Sequence, residues 1–162
     1  MKELSVKRRS RLRSKEAREI LAWIEDGFGM DLSGLMDLEC GFVEDDKAYV
    51  ANGKVVAIET KDGLMPTIHG LMEHSPTRRW VTVDMGAVKY LANGADVMAP
   101  GIVEADPGIE AGDLVWVRDQ KNLRPLCVGT ALMDGGEMKA GRSGKAIRTL
   151  HHVGDPIFNI QV

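Results

Sequence analysis

Residues 80–103 read WVTVDMGAVKYLANGADVMAPGIV, and their pattern decides the fold of the second half of the chain. Trp80 to Val83 is a strand-like run rich in β-branched side chains. Asp84 follows as an N-cap, because its carboxylate can accept from the free N–H groups of a first helical turn. Met85, Val88 and Leu91 then recur at the spacing of one helical face. Asn93-Gly94 stops that helix, since glycine adopts the left-handed conformation without penalty. Ala95 to Val103 resumes a strand-like pattern, interrupted by Pro100-Gly101. One short helix is therefore embedded among short strands.

The chain on the C-terminal side continues in the same manner. Asp106-Pro107-Gly108 marks a turn, Leu114, Val115 and Val117 a strand, Lys121-Asn122 a turn, and Leu126 to Leu132 an apolar strand. Asp134-Gly135-Gly136-Glu137 reads as a turn, and Gly144 to Val153 closes the series. Several short strands with turns between them predict a small pseudo-barrel or Greek-key-like domain. On the N-terminal side, Ser75-Pro76-Thr77 breaks the pattern and marks the seam, giving expected domains of 1–76 and 77–162. Before the seam the spacing predicts a helix over about 15–27, capped by Ser14 and stopped at Gly27 and Gly29. Leu32 to Leu38 is a weak helix candidate. Asn52-Gly53 lies between apolar runs and predicts a tight hairpin. Asp62-Gly63 marks a second turn, and Leu64 to Met72 reads as a strand, alone or leading into a short helix. The fold class expected is α+β.

The 162 residues carry a net charge of −3, with 44% hydrophobic and 28% charged side chains. That balance belongs to a globular chain and excludes global disorder. A chain near 150 residues buries roughly 70% of its unfolded surface, enough for a core without staples. No apolar run approaches the roughly 18–20 residues that span a bilayer. The basic N-terminus has no apolar segment behind it and does not read as a signal peptide. Cys40 and Cys127 stand far apart with no CxxC, which excludes a disulfide framework and a cysteine-rich zinc site and points to the cytoplasm. The net charge hides an asymmetry: residues 1–19 carry +5 and the remainder −8. A basic end on an acidic body is a signal about partners.

The runs VTVDMGAVKYLANGADVMAPGI (81–102), GDLVWVRD (112–119), LCVGTALM (126–133) and GKAIRTLHHVGD (144–155) together resemble the PUA domain, named for pseudouridine synthases and archaeosine transglycosylases. The likeness covers about residues 80–156, and the segment NGADVMAPGI is its most specific part. The whole layout, a basic strand, a helix, a hairpin, PTIHGLM (66–72) and then the PUA block, is similar to the two-domain proteins related to the malignant T-cell-amplified-sequence protein and its archaeal relatives. The resemblance implies a small α/β pre-PUA domain followed by a PUA β pseudo-barrel with a short helix. It also implies RNA binding by the short helix, the glycine-containing loop and strand after it, and the last strand. Mapped here, these are Lys89, Asn93, Gly94, Ala95 and Asp96, then Met98 to Gly101 with Pro100, then Lys145 to His152 with Arg148 and His151. For the subgroup, it further implies action on the small ribosomal subunit or a tRNA acceptor end, beside a partner of the density-regulated-protein type.

The residues themselves leave alternatives. Gly94 and Gly101 suit either a backbone approach to phosphate or base, or a plain helix stop followed by a bulge. Lys139, Arg142, Lys145 and Arg148 stand out from an acidic background; clustered cations neutralise phosphates, or form an ordinary solvated face. Alternation places Lys145 and Arg148 on opposite faces of a strand. Lys7, Arg8, Arg9, Arg11 and Arg13 form the densest basic run, either a nucleic-acid contact or a charged edge strand that discourages aggregation. Leu4, Val6 and Leu12 tie that arm partly to its domain. His69, His74, His151 and His152 show no metal-ligand spacing. No GxSxG, P-loop or GxGxxG occurs, so neither a catalytic residue nor a cofactor or metal is expected. Trp23, beside the helix's apolar face, and Trp116 read as core residues, with an interface role as the alternative. The leading expectation is a non-catalytic RNA-binding protein of translation. The alternative is an accessory RNA-binding subunit of a pseudouridine or archaeosine type enzyme.

Overall fold

The computed structural model describes residues 3–162 apart from Ser33 and Met36; Lys2, counted in the basic end, lies outside the described residues. The chain divides into two units: Met1–Thr77 with Pro156–Val162, and Arg78–Asp155. The second domain was expected to run to Val162. Instead the last seven residues join the first unit, where Gln161 donates its N–H to the Leu4 carbonyl and accepts from Val6. The Phe158 ring stacks on His69 at 4.4 Å, and His69 Nε2 donates to the Phe158 carbonyl at 2.9 Å. A tail spliced back onto an earlier unit leaves no pattern of its own in a linear reading.

In the first unit, β1 (Lys7–Arg11), β2 (Glu39–Val43), β3 (Asp46–Ala51), β4 (Lys54–Thr60) and β5 (Gly63–Pro66) form an antiparallel sheet in chain order. The predicted hairpin turns at Asn52 (φ 52°) and Gly53 (φ 76°), both in the region that two-residue loops require. Helix α1 (Ser14–Phe28) buries Ile24 and Phe28 and ends at Gly29, which is left-handed and donates to the Glu25 carbonyl. Ser14 is not its cap; Arg13 occupies that position and makes no capping bond. Leu64 to Met72 resolves into β5 followed by α2 (Ile68–His74), capped by Thr67, whose Oγ1 accepts from Gly70 and donates to the Val55 carbonyl. Within 32–38, the described residues Leu32, Gly34, Leu35, Asp37 and Leu38 form no helix. Trp23, expected in the core, is 50% exposed, because α1 turns its position outward.

The second unit contains β6 (Trp80–Val83), α3 (Val88–Ala92), β7 (Val97–Met98), β8 (Ile102–Ala105), β9 (Leu114–Asp119), β10 (Pro125–Ala131), α4 (Gly135–Ala140) and β11 (Lys145–His152). The sheet order is β7-β11-β10-β9-β6-β8. β6 and β9 run parallel, and every other pair is antiparallel. Val81, Val83, Val115, Val117, Cys127 and Ile147 point into one core with Leu91 and Met138, the curled sheet expected of a pseudo-barrel. Trp116 is buried. Asp134 to Glu137 is not a turn but the entry to α4. The Asp134 N–H donates to Glu137 Oε1 at 3.4 Å, an acid-x-x-Glu start signal that the two glycines masked. Gly135 is required there, because a Cβ would collide with the Asp106 carbonyl. Among the described residues no helix is long and apolar enough to cross a membrane.

Candidate nucleic-acid interface

The segment between β6 and β8 builds an open cleft. Asp84 Oδ1 accepts from the Ala87 N–H at 3.0 Å, fixing a short 3-10 turn (Met85–Ala87) ahead of α3. Leu91 anchors α3 in the core, so Lys89 and Tyr90 face outward. The helix then stops. The N–H groups of Asn93 and Ala95 go to the Tyr90 carbonyl and that of Gly94 to Leu91, with Gly94 at φ 86°. These loop donors are therefore consumed by the stop itself, so the helix-stop role of the glycine is formed. A cleft of about 440 Å³ opens beside it, lined by Asp84, Ala87, Tyr90, Asp96, Met98 and Pro100 among others. Tyr90 is 59% and Met98 49% exposed, so the cleft presents an aromatic ring and a thioether to solvent.

The last strand locks this loop in place. Asp96 accepts from Lys145 Nζ at 2.9 Å and from the Thr149 N–H at 2.9 Å. The Lys145 ammonium first, then the Thr149 amide, hold the Asp96 carboxyl below the ordinary carboxylate range. Thr149 Oγ1 donates to the Ala95 carbonyl at 2.9 Å. Met98 and Val97 pair with Lys145 and Ile147, while the Ala99 N–H reaches the Gly144 carbonyl at 2.9 Å. Asp96 and Lys145 are thus tied to one another, and Asn93 spends its side chain on the Lys89 carbonyl.

The remaining predicted residues fall as follows. Lys89 Nζ lies 5.1 Å from the Tyr90 ring centroid, a cation over the aromatic surface that borders the cleft. Ala95 and Pro100 are exposed, and the Gly101 carbonyl accepts from the Asp84 N–H. Arg142 and Arg148 are exposed, Lys139 pairs with Glu104 at 3.1 Å, and Arg142 has no carboxylate partner among the described residues. His151 corrects the mapping. It is fully buried, and its Nδ1 lies 2.9 Å from both Asp155 oxygens, so it fixes the end of β11 and offers nothing to a ligand. Its neighbour His152, the last residue of the mapped strand, reaches the glycine loop instead.

The basic arm belongs to the first unit. β1 is an exposed edge strand, in line with one of the two readings of the arm. Arg9 makes a forked contact with Glu39, with distances of 2.9 and 3.2 Å, and Arg11 pairs with Asp37. Arg8 takes a left-handed backbone (φ 53°) at a bulge and lays its guanidinium 4.5 Å from the Phe42 ring centroid. Lys7 and Arg13 have no partner among the described residues, and neither do Lys15 and Arg18 of α1. Sequence reasoning weighed the five arm cations alike; only the fold shows that two face carboxylates.

Residues 79–153 match the PUA domain family, and residues 8–74 match a domain of unknown function, DUF1947. An uncharacterized protein of Methanocaldococcus jannaschii is 44% identical over 125 residues, 77% of each chain. Translation machinery-associated protein 20 of Saccharomyces cerevisiae is 33% identical over 123 residues, which span 70% of this chain and 66% of that protein. The structure of a conserved PUA domain protein from Thermoplasma acidophilum superposes with a TM-score of 0.83 at 36% identity, covering 91% of this chain and 95% of that one. Fold and cleft together define a PUA-domain protein. The chain belongs to the two-domain family that joins a small α/β pre-PUA unit to a PUA domain, the family of these archaeal proteins and of relatives of the malignant T-cell-amplified-sequence protein.

Proposed function

We propose that this protein is a non-catalytic RNA-binding protein of the translation apparatus, acting on the small ribosomal subunit or a tRNA acceptor end in initiation, reinitiation or recycling. The observation that carries the reading is the cleft beside the glycine loop of the PUA unit, which displays Tyr90 and Met98 with a cation over the ring. A splayed-out base finds an aromatic face there, and single-stranded RNA ends are recognised by such stacking. The similarity to translation machinery-associated protein 20 supports the translational setting. A protein partner of the density-regulated-protein type and a cytoplasmic site belong to the same proposal.

Fluorescence polarisation with tRNA and with small-subunit ribosomal RNA tests it. Binding is expected at low salt and is expected to weaken as salt rises, with a slope that counts the phosphates contacted. Tyr90→Ala is expected to lose about 1–3 kcal/mol of that affinity. Absence of binding at low salt ends the proposal. Co-purification with ribosomal subunits supports the translational role, whereas stable association with an RNA-modifying enzyme supports the accessory-subunit alternative.

A further inference from the structure

His152 stands at the end of β11 with its ring held from two sides. Nδ1 lies 2.9 Å from the Val153 carbonyl. A carbonyl only accepts, so Nδ1 carries the proton and Nε2 of the neutral ring is an acceptor. The His152 N–H donates to Asp155 Oδ2 at 2.9 Å, and the same carboxylate holds the buried His151. The imidazole edge lies directly over Gly94: a Cβ there would sit 3.0 Å from Nε2 and 3.2 Å from Cδ2. Glycine thus serves twice at this position, for its positive φ and for the room it leaves the ring. Among the described residues Nε2 has no hydrogen-bond partner, and it is not fully buried.

We infer that His152 is a specificity residue of the glycine loop, whose Nε2 accepts a hydrogen bond from a ribose 2′-hydroxyl and so favours RNA over DNA. The inference rests on the proposed RNA reading of the cleft. An acceptor has nothing to offer a phosphate, which also only accepts; the sugar hydroxyl is the donor that DNA lacks. Position agrees with this assignment. Ala95 and Asp96 line the cleft, and His152 lies outside that lining, against the adjoining Gly94. The Gly94 and Ala95 amides are already spent on α3, so this ring nitrogen is the unspent polar atom that the geometry places against Gly94.

The test compares a pool of short single-stranded RNA with its 2′-deoxy counterpart, both titrated against the full chain at low salt and mildly alkaline pH. The wild type is expected to prefer RNA. His152→Phe keeps a ring over Gly94 without an acceptor and is expected to lose about threefold to tenfold in RNA affinity, the worth of one hydrogen bond, with DNA affinity unchanged. His152→Gln, which retains a carbonyl acceptor, is expected to recover part of the preference, and circular dichroism checks that both variants fold. An unchanged RNA-to-DNA ratio in His152→Phe, or an equal loss for both nucleic acids, overturns the inference while leaving the RNA reading intact. A wild type that binds neither pool overturns the RNA reading itself.

Discussion

Asp96 was expected at the RNA surface, and in the fold it ties the glycine loop to β11. Its carboxylate receives the Lys145 ammonium and the Thr149 amide, and both favour the ionised form, which is why its carboxyl is held below the ordinary range. The sign of the pH dependence follows. A carboxyl depressed in the folded state contributes stability that is complete above its unfolded value, near 3.9, and is lost as pH falls through the lower folded value. Asp96→Asn is therefore expected to cost about 1 kcal/mol at neutral pH, the bond being half open to solvent. The difference from wild type is expected to shrink below about pH 4. Denaturant midpoints across that range measure it, and a pH-independent difference contradicts the assignment. At the same scale, burial pushes the Cys127 thiol up to about 12, which suits a core filler and not a nucleophile.

At the scale of elements, packing and charge pairing decide what composition left open. In α2, a Cβ on Gly70 would lie 2.5 Å from the Val56 carbonyl of β4, so the helix approaches the sheet at a distance only glycine allows. Gly70→Ala is expected to destabilise the first unit by about 1–3 kcal/mol, as overpacking does, visible as a lower denaturation midpoint. β1 and the start of α1 differ in their availability to phosphate. Arg9 and Arg11 already face Glu39 and Asp37, whereas Lys7, Arg13, Lys15 and Arg18 face no partner among the described residues. If RNA tracks this arm, reversing Arg13, Lys15 and Arg18 together is expected to reduce the salt slope by about three, near one for each phosphate no longer neutralised. Reversing Arg9 and Arg11 is expected to reduce it less per residue. Equal slopes for the two variants place the RNA elsewhere on the surface.

Across the whole molecule, the chain leaves the first unit near Thr77 and returns to it at Pro156. The returning tail supplies Gln161 to the segment before β1 and Phe158 to His69 of α2. Deleting residues 156–162 is expected to raise amide exchange around Leu4 to Val6 and in α2, and to leave the protected core strands of the PUA unit unchanged. Slower or unchanged exchange in the first unit counts against a stabilising tail. The two units have separate cores and separate sheets, so such local losses need not spread.

Much of this was legible in the residues because it depends on neighbours along the chain. Asn52-Gly53 specifies its hairpin, Asp84 its cap, Asn93-Gly94 its helix stop, and the block 80–103 its short helix between strands, since each is a local dihedral or capping preference. What remained hidden depends on residues far apart in sequence. Nothing near His151 and His152 says that one is buried against Asp155 and the other lies over Gly94; that follows from the register of β11 and the turn beyond it. Nothing in the basic run says which arginines meet Glu39 and Asp37, because those partners arrive from across the β1–β2 ladder. Local sequence determined the elements and their punctuation. The tertiary structure alone decided which polar groups are spent on one another and which are left for a ligand, because burial and pairing are properties of contacts that close only when distant strands meet.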